Sequence, residues 1–118
     1  MKTIGITGGV GAGKSTVLAY LEEKYNAFVI QADEVGHIVM APGQECYQPV
    51  IDLFGKDVIK NDKTIDRKRV SDVVFEQPDF LSCLNGIIHP AVKRYILKSL
   101  EEQKKEGRKL CVVEAALF

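Results

Sequence analysis

Cysteine is scarce in this 118-residue chain: Cys46, Cys83 and Cys111 are odd in number, far apart and without C-x-x-C spacing. That suggests neither a disulfide framework nor a zinc site, and predicts reduced, buried thiols of a cytoplasmic protein. A charge of one sign is missing as well. Sixteen basic residues balance sixteen acidic ones, so no global field draws in nucleic acid or an anionic membrane. No apolar run approaches the roughly 20 residues needed to cross a bilayer, and the first residues do not read as a signal or transit peptide. Repeats and low-complexity tracts are absent too. What remains is the composition of one globular domain with an ordinary core, 46% apolar and 27% charged.

The informative stretch comes early. Gly8-Gly9-Val10-Gly11-Ala12-Gly13-Lys14-Ser15 spells G-x-x-x-x-G-K-[ST], a loop whose backbone N–H groups wrap around nucleotide phosphates. In such a loop Lys14 reaches the β- and γ-phosphates, and the Ser15 hydroxyl holds Mg²⁺. Gly9 through Thr16 are therefore the candidate nucleotide-binding residues. The flanks fit: Lys2–Thr7 reads as a short apolar strand, and Val17, Leu18, Leu21 and Tyr25 recur at helical spacing. A helix N-terminus at that point adds free N–H groups and a positive dipole end. The dinucleotide fingerprint G-x-G-x-x-G is not present, because Lys14 stands where its third glycine would fall. Nor is there an N-K-x-D guanine motif.

Further along, Ala27–Ile30 predicts a second strand leading to Asp33, which can cap the helix after it, with Val35, Ile38 and Val39 facing inward. Pro42-Gly43 breaks that helix. Another, holding Val50, Ile51, Leu53 and Phe54, ends at Gly55. Residues 60–64 form a polar turn between two short extended pieces, and Asp66 opens a helix through Phe75. Pro78 starts a helical stretch that Pro90 restarts, with Val92, Tyr95, Ile96 and Leu100 inward. Gly107 closes it before a third strand beginning at Leu110. Alternating strands and helices predict an α/β fold with a parallel sheet. Residues 1–33 and 108–118 form its nucleotide-binding core, and about 34–107 a helical, substrate-binding insertion.

Ligands of such sheets sit beyond the carboxyl ends of the strands. Asp33, after strand two, is placed either to take a proton from an acceptor hydroxyl or simply to cap its helix. Glu114, near the end of strand three, either orients a Mg²⁺-bound water or caps a helix. His37, one turn after Asp33, lines an acceptor site or packs. His89, beside Pro90, meets substrate or merely begins a helix. Arg67, with Lys68 and Arg69 close by, can hold an anionic acceptor while Asp66 caps.

Taken in order, these segments resemble the dephospho-coenzyme A kinase family. The resemblance rests on Ile6 to Thr16, Ala32-Asp33 with His37, Pro42-Gly43, Phe54-Gly55, Ile65-Asp66-Arg67, Val74-Phe75, Ile88-His89-Pro90 and Glu114 to Phe118. It implies a three-layer P-loop NTPase fold, cut after the third strand, with a CoA-binding helical insertion. It implies ATP at the loop with Mg²⁺, dephospho-CoA as acceptor with neither nucleic acid nor membrane as partner, and Asp33 as the base on the ribose 3′-hydroxyl. Gln31 stands where the family often has an acid. The family's further strands, arginine-bearing lid and adenine-holding segment fall outside these 118 residues, so the stretch alone is expected to turn over little. Rival readings are another small-molecule P-loop kinase and a nucleotide-binding fragment without activity. Nothing in the residues specifies an oligomeric state.

Overall fold

The computed structural model describes residues 1–7 and 12–115, and side chains for residues 1–6 and 16–115. Three strands, β1 (Lys2–Thr7), β2 (Phe28–Gln31) and β3 (Leu110–Ala115), form a parallel sheet in the order β1-β3-β2. Helix α1 (Ala12–Tyr25) follows β1, and α2 (Ala32–Val39) follows β2 directly. Then come α3 (Tyr47–Phe54), a short 3-10 turn (Lys56–Val58), α4 (Arg67–Glu76) and α5 (Asp79–Lys105). The fold class is α/β, as expected.

β3 is the central strand, and Cys111 and Val112 are fully buried on its opposite faces. It is the most apolar of the three, as a strand covered on both sides must be. On one face Leu18 of α1 packs with Ala27 and Val112, ringed by Ile6, Leu21, Val29 and Leu110. Val17 and Tyr25 of α1 are exposed, so the apolar positions of this helix do not all face the sheet. Arg108 secures the turn before β3. Its Nε donates to Gln103 Oε1 at 2.7 Å, Nη1 donates to the Asn26 carbonyl at 2.9 Å, and the guanidinium lies over the Phe28 ring.

The chain divides into two compact units, Met1–Val35 with Arg94–Phe118, and Gly36–Lys93. The last part of α5 thus groups with the sheet, whereas the sequence placed residues up to 107 in the helical insertion. In the helical unit Val50, Val58 and Cys46 are completely buried, with Val39, Ile51, Ile65, Val70 and Ala91 close to it. Gly55, at φ 89°, ends α3 in a conformation that costs glycine no steric penalty.

Several local expectations fail for identifiable reasons. Asp33 is not a helix cap: α2 already begins at Ala32, so Asp33 has helical geometry in the first turn. Ile38 is 40% exposed because the buried arc of α2 runs through Val35, Gly36 and Val39. Pro90 does not restart a helix but sits inside α5. The carbonyl it deprives of a partner belongs to Gly86, and both residues are exposed, so water can reach it. Tyr95, expected to face inward, is 37% exposed, and Cys83 is exposed while Cys46 and Cys111 are buried as expected.

Candidate functional site

The strand register brings the three carboxyl ends level. Thr7 pairs with Ala115, and Glu114 lies between Ile6 and Gln31. The segments leaving β1, β2 and β3 therefore start from one edge of the sheet, where ligands of this fold class bind. Gly9, Val10 and Gly11 lie outside the described residues, as do the side chains of Ala12, Lys14 and Ser15. The backbone of residues 12–15 forms the first turn of α1, directly after β1 and the glycine-rich segment. Thr16 follows on the same helix, exposed.

Among the described residues Glu114 is the buried charged one, 5% exposed. Strand alternation puts it on the face carrying Val112 and Ile6, the face that α1 covers. Among the described residues no buried side-chain nitrogen or oxygen lacks a hydrogen-bond partner, so this carboxylate is satisfied where it lies. Asp33 stands exposed in the first turn of α2, and His37 belongs to the last turn of the same helix.

Within the helical unit, two residues singled out separately in the sequence come together. Arg67, at the start of α4, donates from Nη1 to His37 Nδ1 at 2.8 Å, and the same nitrogen also contacts Nε2. An arginine has no acceptor and a neutral imidazole has one, so only one of these two contacts can be a hydrogen bond at a time. Beside this pair is a groove of about 250 Å³ whose lining includes His37, Met40, Lys60, Thr64, Ile65 and Arg67. His89 is exposed in α5 and does not line it.

Lys60 and Thr64 were missed by sequence reasoning, which read residues 60–64 only as a turn. The turn is held firmly. Lys60 N–H donates to the Thr64 carbonyl at 2.8 Å, and Lys63 N–H to the Lys60 carbonyl at 3.0 Å. Tyr47 donates its hydroxyl to the Lys63 carbonyl at 2.5 Å. Asp62 accepts from Thr64 N–H at 3.0 Å and from its hydroxyl at 2.6 Å. Those two hydrogen bonds hold the Asp62 carboxyl below its ordinary pKa of 3.8. Asp66 caps α4, accepting from the N–H groups of Lys68 and Arg69. A larger open concavity, about 630 Å³ along α1 and β2, carries Glu22 and Glu23, an acidic lining that repels phosphates.

A family model described as dephospho-CoA kinase matches residues 2–118. A dephospho-CoA kinase of Dehalococcoides mccartyi is 41% identical over 118 residues, all of this chain and 59% of the relative. The one from Symbiobacterium thermophilum is 37% identical over 118 residues, again all of this chain and 49% of the relative. A Thermus thermophilus crystal structure superposes with a TM-score of 0.78 at 27% identity, over 97% of this chain and 55% of that one. A dephospho-CoA kinase from Campylobacter jejuni, at 24% identity and a TM-score of 0.74 over 93% of this chain and 55% of that one, shares the fold. The chain spans about half the length of the curated relatives it matches. With the phosphate-loop sequence, the level strand ends and a match running from residue 2 to residue 118, the chain belongs to the dephospho-CoA kinase family.

Proposed function

We propose that the protein transfers the γ-phosphoryl group of ATP to the ribose 3′-hydroxyl of dephospho-CoA, giving coenzyme A and ADP. The observation that carries this reading is Asp33. It is an exposed carboxylate in the first turn of α2, immediately beyond β2, at the same sheet edge from which the phosphate-loop segment departs. It has no capping duty to explain it.

In this reading the loop N–H groups from Gly9 to Thr16 and the Lys14 ammonium hold the ATP phosphates and neutralise charge that spreads over the transferring group. Asp33 accepts the proton of the 3′-hydroxyl as that oxygen attacks, and ADP departs. His37 and Arg67 hold the acceptor, with His89 a further candidate contact. A Mg²⁺ ion prefers oxygen donors, and the Ser15 hydroxyl would hold it, with Glu114 orienting a water bound to it. When bound, that ion withdraws charge from the phosphate oxygens. The three cysteines are free, which supports a cytoplasmic location. Among the described residues no helix is long and apolar enough to cross a membrane.

The test is an assay of the intact protein with ATP and dephospho-CoA, following coenzyme A by mass. Asp33→Asn should lose about 10²–10⁴ in turnover while retaining ATP affinity. Undiminished turnover by that variant removes Asp33 as the base. No coenzyme A from the wild-type protein overturns the reading altogether.

A further inference from the structure

At the end of the sheet opposite the candidate site, two sulfur atoms meet. Cys111, completely buried in the central strand, donates its thiol proton to Met1 Sδ at 3.3 Å. Strand register explains the contact. Cys111 pairs with Thr3 on one side and Phe28 on the other, and Met1, two residues before Thr3, falls on the same face of the sheet. Thr3 is exposed, and Gly5, next along that face of β1, has nothing within 4 Å of where a Cβ would stand. From the β1 side, therefore, Cys111 has little cover beyond the thioether.

The two sulfurs are unequal toward oxidants. Met1 is 44% exposed, whereas Cys111 is fully enclosed. Burial also raises the Cys111 pKa, which keeps it a thiol, the form that reacts poorly. A thioether needs no deprotonation. With a hydroperoxide, a lone pair of Met1 Sδ takes the terminal oxygen as the O–O bond breaks. The sulfur gives up two electrons, and the peroxide is reduced to an alcohol or water, the proton of its terminal oxygen passing to the departing one. The sulfoxide oxygen finds no room between sulfurs 3.3 Å apart, and it makes an apolar side chain polar.

We infer that Met1 is an oxidation site whose thioether covers the Cys111 thiol. Sulfoxide formation moves the Met1 side chain off the sheet and opens Cys111 to solvent. The strand itself stays in place: Lys2 N–H donates to the Lys109 carbonyl at 2.9 Å, and β1 pairs with β3 from Lys2 to Thr7. The opening is local, and a methionine sulfoxide reductase with a dithiol reductant reverses it. This site goes beyond the kinase reading and does not depend on it.

The test treats the intact protein with limiting hydrogen peroxide, maps oxygen uptake by peptide mass spectrometry, and then times maleimide labelling. Other residues serve as internal references. Met40, the second methionine and half-buried, should take up oxygen later than Met1. Exposed Cys83 should label throughout, and buried Cys46 should stay unlabelled. Oxidation at Met1 should raise the labelling rate of Cys111 by about 10-fold or more, and reductase treatment should restore the slow rate. Met1→Leu, released from a cleavable leader that leaves no residue behind, keeps an apolar cover without the oxidisable sulfur. It should hold Cys111 slow through the same treatment.

Oxidation of Met40 ahead of Met1 overturns the oxidation site. Cys111 labelling that is unchanged after Met1 oxidation, or equally fast in treated Met1→Leu, overturns the cover. Cys46 and Cys111 becoming reactive together would show general unfolding, and that also overturns the local opening.

Discussion

Arg67 and His37, thirty positions apart in sequence, meet through a 2.8 Å hydrogen bond that ties the first turn of α4 to the last turn of α2. Both side chains are exposed, and exposed polar pairs contribute little to folding, about 0–1 kcal/mol. Replacing either should therefore leave the melting temperature within a few degrees of wild type. The same replacements should weaken acceptor binding strongly. Calorimetry beside kinetics checks this, and a large stability loss would make the pair a fold element instead.

Asp33 and Asp66 look alike in sequence, each an acid opening a helix, but the structure gives them different work. Asp66→Ala removes a cap that serves two backbone N–H groups and should cost about 1 kcal/mol, seen as a fall of several degrees in melting temperature. Asp33→Asn loses at most a dipole interaction of about 0.3–1 kcal/mol. The expected pattern is a stable, inactive Asp33 variant and an active, less stable Asp66 variant.

The Asp62 carboxyl should titrate below its ordinary value, because Thr64 N–H and hydroxyl both donate to the ionised form. The sign follows from that lowering. The turn's stabilisation is complete above the ordinary pKa of 3.8 and is lost as pH falls through the lowered one. Carboxyl NMR should show this, with slowed exchange of the Thr64 amide disappearing over the same pH range. Thr64→Ala should return the Asp62 pKa towards 3.8.

Thiol chemistry should sort the three cysteines. Cys83, exposed on α5, should react with a maleimide under native conditions, and Cys46 and Cys111 only on unfolding. Burial pushes the Cys111 thiol above its ordinary 9.0. The native state therefore holds its proton longer than the unfolded one, and stability should decline as pH rises above about 9. Mass spectrometry after timed labelling reads the first expectation, and denaturant unfolding at alkaline pH the second.

The strands and the Asp66 cap were legible in the sequence because each is a local pattern: an apolar run, an acid before a helical period. Lys60 was not. It reaches the groove only because Ile59 and Ile65 bridge as antiparallel partners and fold the intervening turn back beside Arg67. That pairing is tertiary, and a polar turn carries no sign of what it will face. Asp33 was misread in one respect for a related reason. Whether an acid caps a helix or sits one position inside it depends on a single residue's backbone angles, and Ala32 is as good a helix former as any. Ile38 and Tyr95 fit a helical period but fall just outside the arc that other elements cover.

The order β1-β3-β2 also sets a timetable for assembly. β1 and β2 make no hydrogen bonds to each other, and each pairs only with β3 among the described strands. β3 begins about 80 residues after β2 ends, so at ~5–20 residues per second a ribosome delivers it roughly 4–16 s later. Throughout that interval two apolar segments stay without ladder partners, while the contacts within residues 36–93, short in sequence, are free to form. The pairing of β1 and β2 through β3 is thus a late step of maturation, and it waits for the strand that stands between them.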